Sequence, residues 1–183
     1  MRIRIPCIED LSQESEALFK VMNEEPDMAC VLIGTSYLEQ TLASLLERFF
    51  IDSDTARKLL DSRGGALGSF QSRADTSYCL GLIPKSLYQN LCVVGEIRNK
   101  FAHSYLSLSL DDSEIVGMIE SLTSPVFKEV VTAEGRTYNQ DFFSSQVTDP
   151  REKFRLIVVL MVNRLLLTGL SARHMQRQLE GWA

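Results

Sequence analysis

The chain has 183 residues, 45% of them hydrophobic and 23% charged, with a formal net charge of −5 and a pI of about 5.1. These figures fit one ordinary globular domain and exclude a disordered chain. They also exclude a surface that binds nucleic acid non-specifically through phosphate contacts, which would be basic, although a local basic patch remains compatible with them.

The first residues, Met1 to Pro6, lack the apolar stretch of a secretory signal. The longest apolar run, residues 156–162, is closed by Arg155 and by Asn163 and Arg164. It is far shorter than the ~20 residues of a membrane span. The four cysteines, Cys7, Cys30, Cys79 and Cys92, contain no C-x-x-C pair, which fits reduced thiols in a cytoplasmic protein. With only His103 and His174 to help them, they do not make a zinc site, and neither metal nor cofactor is expected.

The apolar spacing is helical along the chain. Ile8, Leu11, Leu18 and Met22 predict a first helix that stops before Pro26. Asp27 is expected to cap a long second helix to about residue 50, with Val31, Leu38, Leu42, Leu45 and Phe49 on one stripe. Asp52, Ser53 and Asp54 start a short third helix that ends near Leu60. Between Ser62 and Ser69 lie Gly64, Gly65 and Gly68, a loop whose backbone is sharply bent or closely approached. Ser69 suits the cap of a fourth helix and Pro84 the first turn of a fifth, which runs to His103 or Ser104. Asp111 and Asp112 open a sixth. Residues 126–131 read as strand or short helix, with a turn at Glu134, Gly135 and Arg136. Thr148, Asp149 and Pro150 start a last helix that is apolar almost all round, so it is expected at the centre of the fold or between two copies of the chain.

The fifth helix breaks its own pattern. At about 100° per residue, Leu87, Leu91, Val94 and Phe101 share one face, and Arg98 falls in the middle of it. A buried arginine needs a carboxylate partner or an anion, and Glu39, beside the second helix's stripe, is the expected partner. Arg73 has a similar setting on the Phe70, Ala74 and Ser77 side of the fourth helix. Asn99 and His103, four residues apart, share a face next to Arg98. Glu39, Arg73, Arg98, Asn99 and His103 therefore form the candidate polar cluster. Two readings stay open. In one, Arg98 is a structural ion pair and His103 ends its helix, where a positive ring suits the dipole. In the other, the arginine, amide and imidazole supply charge, orientation and proton transfer to phosphodiester cleavage without metal.

Two segments resemble a known family. Gly65–Ala66–Leu67–Gly68–Ser69–Phe70, then Arg73, then Tyr78–Cys79–Leu80–Gly81–Leu82–Ile83, followed by Arg98–Asn99–Lys100–Phe101–Ala102–His103, resemble the central blocks of the mannitol operon repressor (MtlR) family, with Tyr37–Leu38–Glu39 suitably placed before them. The resemblance covers residues 25–105 well and the remainder loosely. It implies a single all-α, MtlR-like helical bundle over residues 1–183 that regulates sugar-alcohol uptake as a bacterial repressor or interaction module. The last block is also similar to the Arg-x4-His signature of HEPN domains. These are helical and often dimeric, and many are metal-independent ribonucleases or toxin components. By that resemblance Arg98, Asn99 and His103 take the signature positions. No helix-turn-helix pair is present, and the basic tail, Arg173 to Arg177, reads as a solvated helix end. Repression is thus expected to run through a protein partner, from a homodimer, with direct DNA contact left open.

Overall fold

The computed structural model describes residues 8–104, 108–124, 129–131, 137–139 and 147–172. Seven helices and one two-stranded ribbon make up the described residues: α1 (Ile8–Glu24), α2 (Asp27–Phe49), α3 (Asp54–Leu60), α4 (Phe70–Cys79), α5 (Lys85–His103), α6 (Ser113–Ser121), β1 (Glu129–Val131), β2 (Thr137–Asn139) and α7 (Pro150–Ser171). The all-α reading is correct. The strands pair antiparallel, Val130 opposite Tyr138, where the sequence left strand or short helix open. The expected turn at Glu134 to Arg136 lies outside the described residues, as do Cys7 and the basic tail.

Side-chain caps set three of the seven helix starts among the described residues. The Ser53 hydroxyl accepts from the Ala56 N–H at 3.2 Å, and Asp149 accepts from the Glu152 N–H at 3.0 Å. Ser69 and Ser72 form a reciprocal capping box at the start of α4. Asp27 departs from expectation. Pro26 holds the cap position of α2, and the Asp27 carboxylate turns away to accept from the Leu110 N–H and the Ser109 hydroxyl, each at 2.9 Å. It also faces Arg151 of α7 at 3.2 Å.

Helices α2 and α7 are the spine of the bundle. Arg151 meets Asp27 at their N-terminal ends, and at the other end Arg48 donates to the Gly169 carbonyl at 2.7 Å. The two helices therefore run parallel. Burial of the Arg48 guanidinium pulls its pKa down from the ordinary arginine value. Helix α1 runs antiparallel to α7: Asn23 accepts from Arg155, and the Ser15 hydroxyl donates to Asn163. The three close tightly at Gly34. A Cβ there would lie 2.9 Å from Met22 Cε and 3.0 Å from Val158 Cγ1, so a larger residue would have to displace the end of Met22 and crowd Val158.

The core joins Leu38, Leu42 and Leu45 of α2 to Leu91, Val94 and Phe101 of α5 and to Phe154, Val158, Met161 and Leu165 of α7, all buried. By length and composition α2 and α7 are apolar enough to cross a bilayer. Here both supply this shared core, with about half of each apolar window buried in it. Helix α7 is thus central, as its composition predicts. Cys30 is buried in the same core, and desolvation pushes its thiol above the ordinary cysteine value, so it stays protonated at neutral pH.

Gly34→Ala is expected to cost ~1–3 kcal/mol by overpacking three helices, read as a lowered midpoint in urea with an unchanged slope.

Candidate functional site

The five candidate residues do not form one cluster. They separate into a buried clamp, Arg73 with Glu39, and an exposed edge, Arg98 with Asn99 and His103.

The clamp begins with the glycine-rich loop after α3. Asp61 accepts from Gly65 N–H at 2.8 Å, Leu59 from Leu67 N–H at 2.8 Å, and Gly65 from Gly68 N–H at 2.9 Å. The loop wraps back over the end of α3 and spends these amides on backbone carbonyls. A Cβ on Gly65 would sit 2.3 Å from the Leu59 carbonyl oxygen, and one on Gly68 2.6 Å from that of Asp61. Glycine is required there by close approach of backbone, not by a phosphate cradle. Arg73, only 5% exposed, locks the wrap. Its Nε donates to the Leu67 carbonyl at 2.9 Å and its Nη2 to the Leu60 carbonyl at 2.9 Å. Nη1 reaches both the Glu39 carbonyl and the Glu39 Oε1 at 3.3 Å. One guanidinium thus ties α2, the end of α3, the loop and α4 together.

Glu39 therefore pairs with Arg73. The expectation that Arg98 is buried against Glu39 is wrong. Arg98 is exposed, and its Nη1 donates to the Asn99 amide oxygen at 3.1 Å. The reason is where α4 begins. Phe70, its first residue, lies against Gly95 of α5, where a Cβ would be 3.2 Å from the ring. One turn further along α5, Arg98 on the same side is exposed. Arg98 falls on the angular stripe of Leu91 and Val94 but past the edge of its cover. Ile97, on the other flank, is buried instead. Angular phase alone does not reveal that a covering helix has ended.

Asn99 and His103 are exposed as well. The Arg98–Asn99 hydrogen bond draws the guanidinium toward the face that Asn99 shares with His103, since residues four apart stack on one side of a helix. Buried Ile97 and Phe101 anchor this turn, and Lys100 pairs with Glu114 of α6 at 2.6 Å. The edge is a polar strip on a rigid helix end.

Sequence reasoning missed Asn90. It is buried on α5, donates from Nδ2 to the Thr123 carbonyl at 2.5 Å and accepts from the Thr123 N–H at 3.1 Å. Its place one residue before Leu91 on the apolar stripe is the signal: a buried amide demands partners. The Tyr88 hydroxyl donates to Asp75 at 2.9 Å while its ring stacks on Tyr78, with centroids 4.6 Å apart. The bond to the Asp75 carboxylate pushes the phenol pKa up from its ordinary value. Among the described residues no group of three or more His, Cys, Asp or Glu side chains comes together as a metal site.

No protein-family model matches the sequence, and no curated protein does. Among solved structures, a chain of the X-ray structure of the MtlR–HPr complex from Escherichia coli has a similar fold. Its TM-score is 0.58, with 18% sequence identity over 85% of this chain and 97% of that one. The MtlR-like architecture read from the glycine and Arg–Asn–x–Phe–Ala–His blocks is therefore the observed one.

Arg73→Ala is expected to destabilise by ~3 kcal/mol, because buried carbonyls lose their donor together with a partly buried carboxylate. Arg98→Ala, on an exposed edge, is expected to change stability by no more than about 0.5 kcal/mol. Urea denaturation of the two variants, run side by side, reads the contrast. Equal losses would contradict the division into clamp and edge.

Proposed function

We propose that this protein is a regulatory interaction module of MtlR type, a single domain that acts on sugar-alcohol metabolism by binding a protein partner. The observation that carries the reading is the likeness of fold, over nearly the whole of both chains, to a chain crystallised with HPr. The acidic surface supports it, since a net charge of −5 suits protein contact better than direct DNA contact. In this reading repression, where it occurs, is exerted through the partner rather than through a DNA-reading helix. The protein works in the cytoplasm as a homodimer.

A second reading is favoured by one observation. Arg98, Asn99 and His103 are exposed together, so all three are open to a substrate. A metal-independent ribonuclease would use His103 as general base or acid. Arg98 would stabilise charge on the phosphate, and Asn99 would hold the guanidinium in place. Against it stands the net charge of −5, since a protein that lives on phosphate contacts is usually basic. Interaction remains the better account.

Two measurements on the purified chain decide between them. Isothermal titration with E. coli HPr is expected to show saturable binding, and RNA incubated with the protein in EDTA is expected to stay intact. EDTA-resistant cleavage that falls by about 10²–10⁴-fold in His103→Ala would establish the ribonuclease instead.

A further inference from the structure

We infer that the outward face of α7 is a self-association seam, centred on Asn163, along which a second copy of this chain packs antiparallel. The inference rests on the homodimer proposed above and deepens it by naming the surface, the direction of the two helices and the residue at the two-fold axis.

The side of α7 turned away from the core is apolar where solvent would favour charge. Val158, Met161 and Leu165 are buried in the core. On the opposite side, at about 100° per residue, Leu156, Leu160, Asn163, Leu167 and Leu170 fall within about 40° of one line. The first four are half-buried and Leu170 is 38% exposed. Of the helix's apolar window 44% is buried, so the chain alone leaves the larger share uncovered. An outward helix face ordinarily carries charge. Among the charged residues of α7 only Glu152, in its first turn, falls on this line. The spacing of the five, four and three residues in alternation, is the a/d rhythm of a two-helix seam.

The pattern reads nearly the same in both directions, and this selects a second copy as the occupant. From Asn163 the leucines lie three and seven residues back, and four and seven residues on. Two copies laid antiparallel about a two-fold axis at Asn163 set Leu156 against Leu170 of the partner subunit and Leu160 against Leu167 of the partner subunit. An unrelated partner has no need of this symmetry, whereas an isologous contact requires it. Asn163 suits the axis. Its Oδ1 accepts from the Ser15 hydroxyl of α1, and an amide oxygen has a second lone pair. Each Nδ2 can therefore donate to the amide oxygen of the other copy. The two amides satisfy each other inside a leucine seam, where a lone amide would be left unpaired at a cost. Such a central asparagine also fixes register. Arg164, the nearest charge, lies about 100° round the helix and off the seam. The strip from Leu156 to Leu170 is about 21 Å long and ~10 Å wide, well below the ~800 Å² per partner of a standard interface. The dimer it forms exchanges with monomer.

The test follows association of the full chain by sedimentation velocity, from micromolar to hundreds of micromolar protein. A concentration-dependent dimer is expected. Leu167→Glu puts a charge into the seam and is expected to weaken dimerisation by at least about ten-fold, with helical circular dichroism unchanged. Cysteine variants test the register whether or not that variant folds. Under mild oxidation Asn163→Cys is expected to cross-link to its own copy, above the background of the parent's cysteines, because both lie at the axis. Leu170→Cys is expected not to do so, since an antiparallel seam holds the two copies of that position about 21 Å apart along the helix, far beyond disulfide reach. Three results would overturn the inference: a monomer at every concentration, a folded Leu167→Glu that dimerises as well as the parent, or Leu170→Cys cross-linking to itself as readily as Asn163→Cys. The HPr titration described above, run alongside, keeps the two readings apart. HPr binding by a chain that never dimerises would remove the seam and leave the partner reading standing, and a dimer that ignores HPr would do the reverse.

Discussion

The architecture around α4 depends on one buried guanidinium. Arg73 donates to carbonyls of Leu60, Leu67 and Glu39 and meets the Glu39 carboxylate. Buried charge is expensive, and it is tolerated here because the available donors are matched by acceptors from three separate pieces of chain. The charge of one side chain thus specifies the path of a loop. With the loop path set, α4 must begin at Phe70, and Phe70 then rests on Gly95.

That placement decides what α5 shows to solvent. Up to Gly95, the α4-facing side of α5 is covered. Beyond it Arg98, Asn99 and His103 project from a helix that is still anchored by Ile97 and Phe101. Two arginines at apolar helix positions look alike in sequence, yet Arg73 is buried and Arg98 is exposed. The clamp makes the edge possible, although none of its side chains belongs to the edge.

Most of the fold is legible in the amino-acid order. Periodic leucines in α2, the hydroxyls of Ser53 and Ser69, the Asp149–Pro150 start and the almost unbroken apolar stretch of α7 are local features, and local features are what a linear reading captures. The misreadings all involve distant chain. Asp27 looks like a cap, yet residues 109–110 and 151 draw its carboxylate away. Glu39 and Arg73 were both identifiable as candidates, but choosing Arg73 over Arg98 as the partner of Glu39 needs the loop geometry, which the glycine spacing announces without describing. Asn90 sits on an apolar stripe and carries no motif, and its partner at Thr123 is thirty-three residues away.

The parallel pairing of α2 with α7 has a consequence for how the chain is made. A ribosome finishes α2 at Phe49 and begins α7 at Pro150, 101 residues later. At about 5–20 residues per second the nascent chain carries the apolar side of α2 for roughly 5–20 s before its main covering helix exists. Over that interval α4 and α5 can shield part of α2, but the side around Gly34 that belongs to Val158 stays open. Biosynthesis therefore exposes this protein to chaperone capture and misassociation during one definable window. A premature stop anywhere before α7 leaves a product without a closed core, a fate that a chain built from neighbouring antiparallel hairpins would escape.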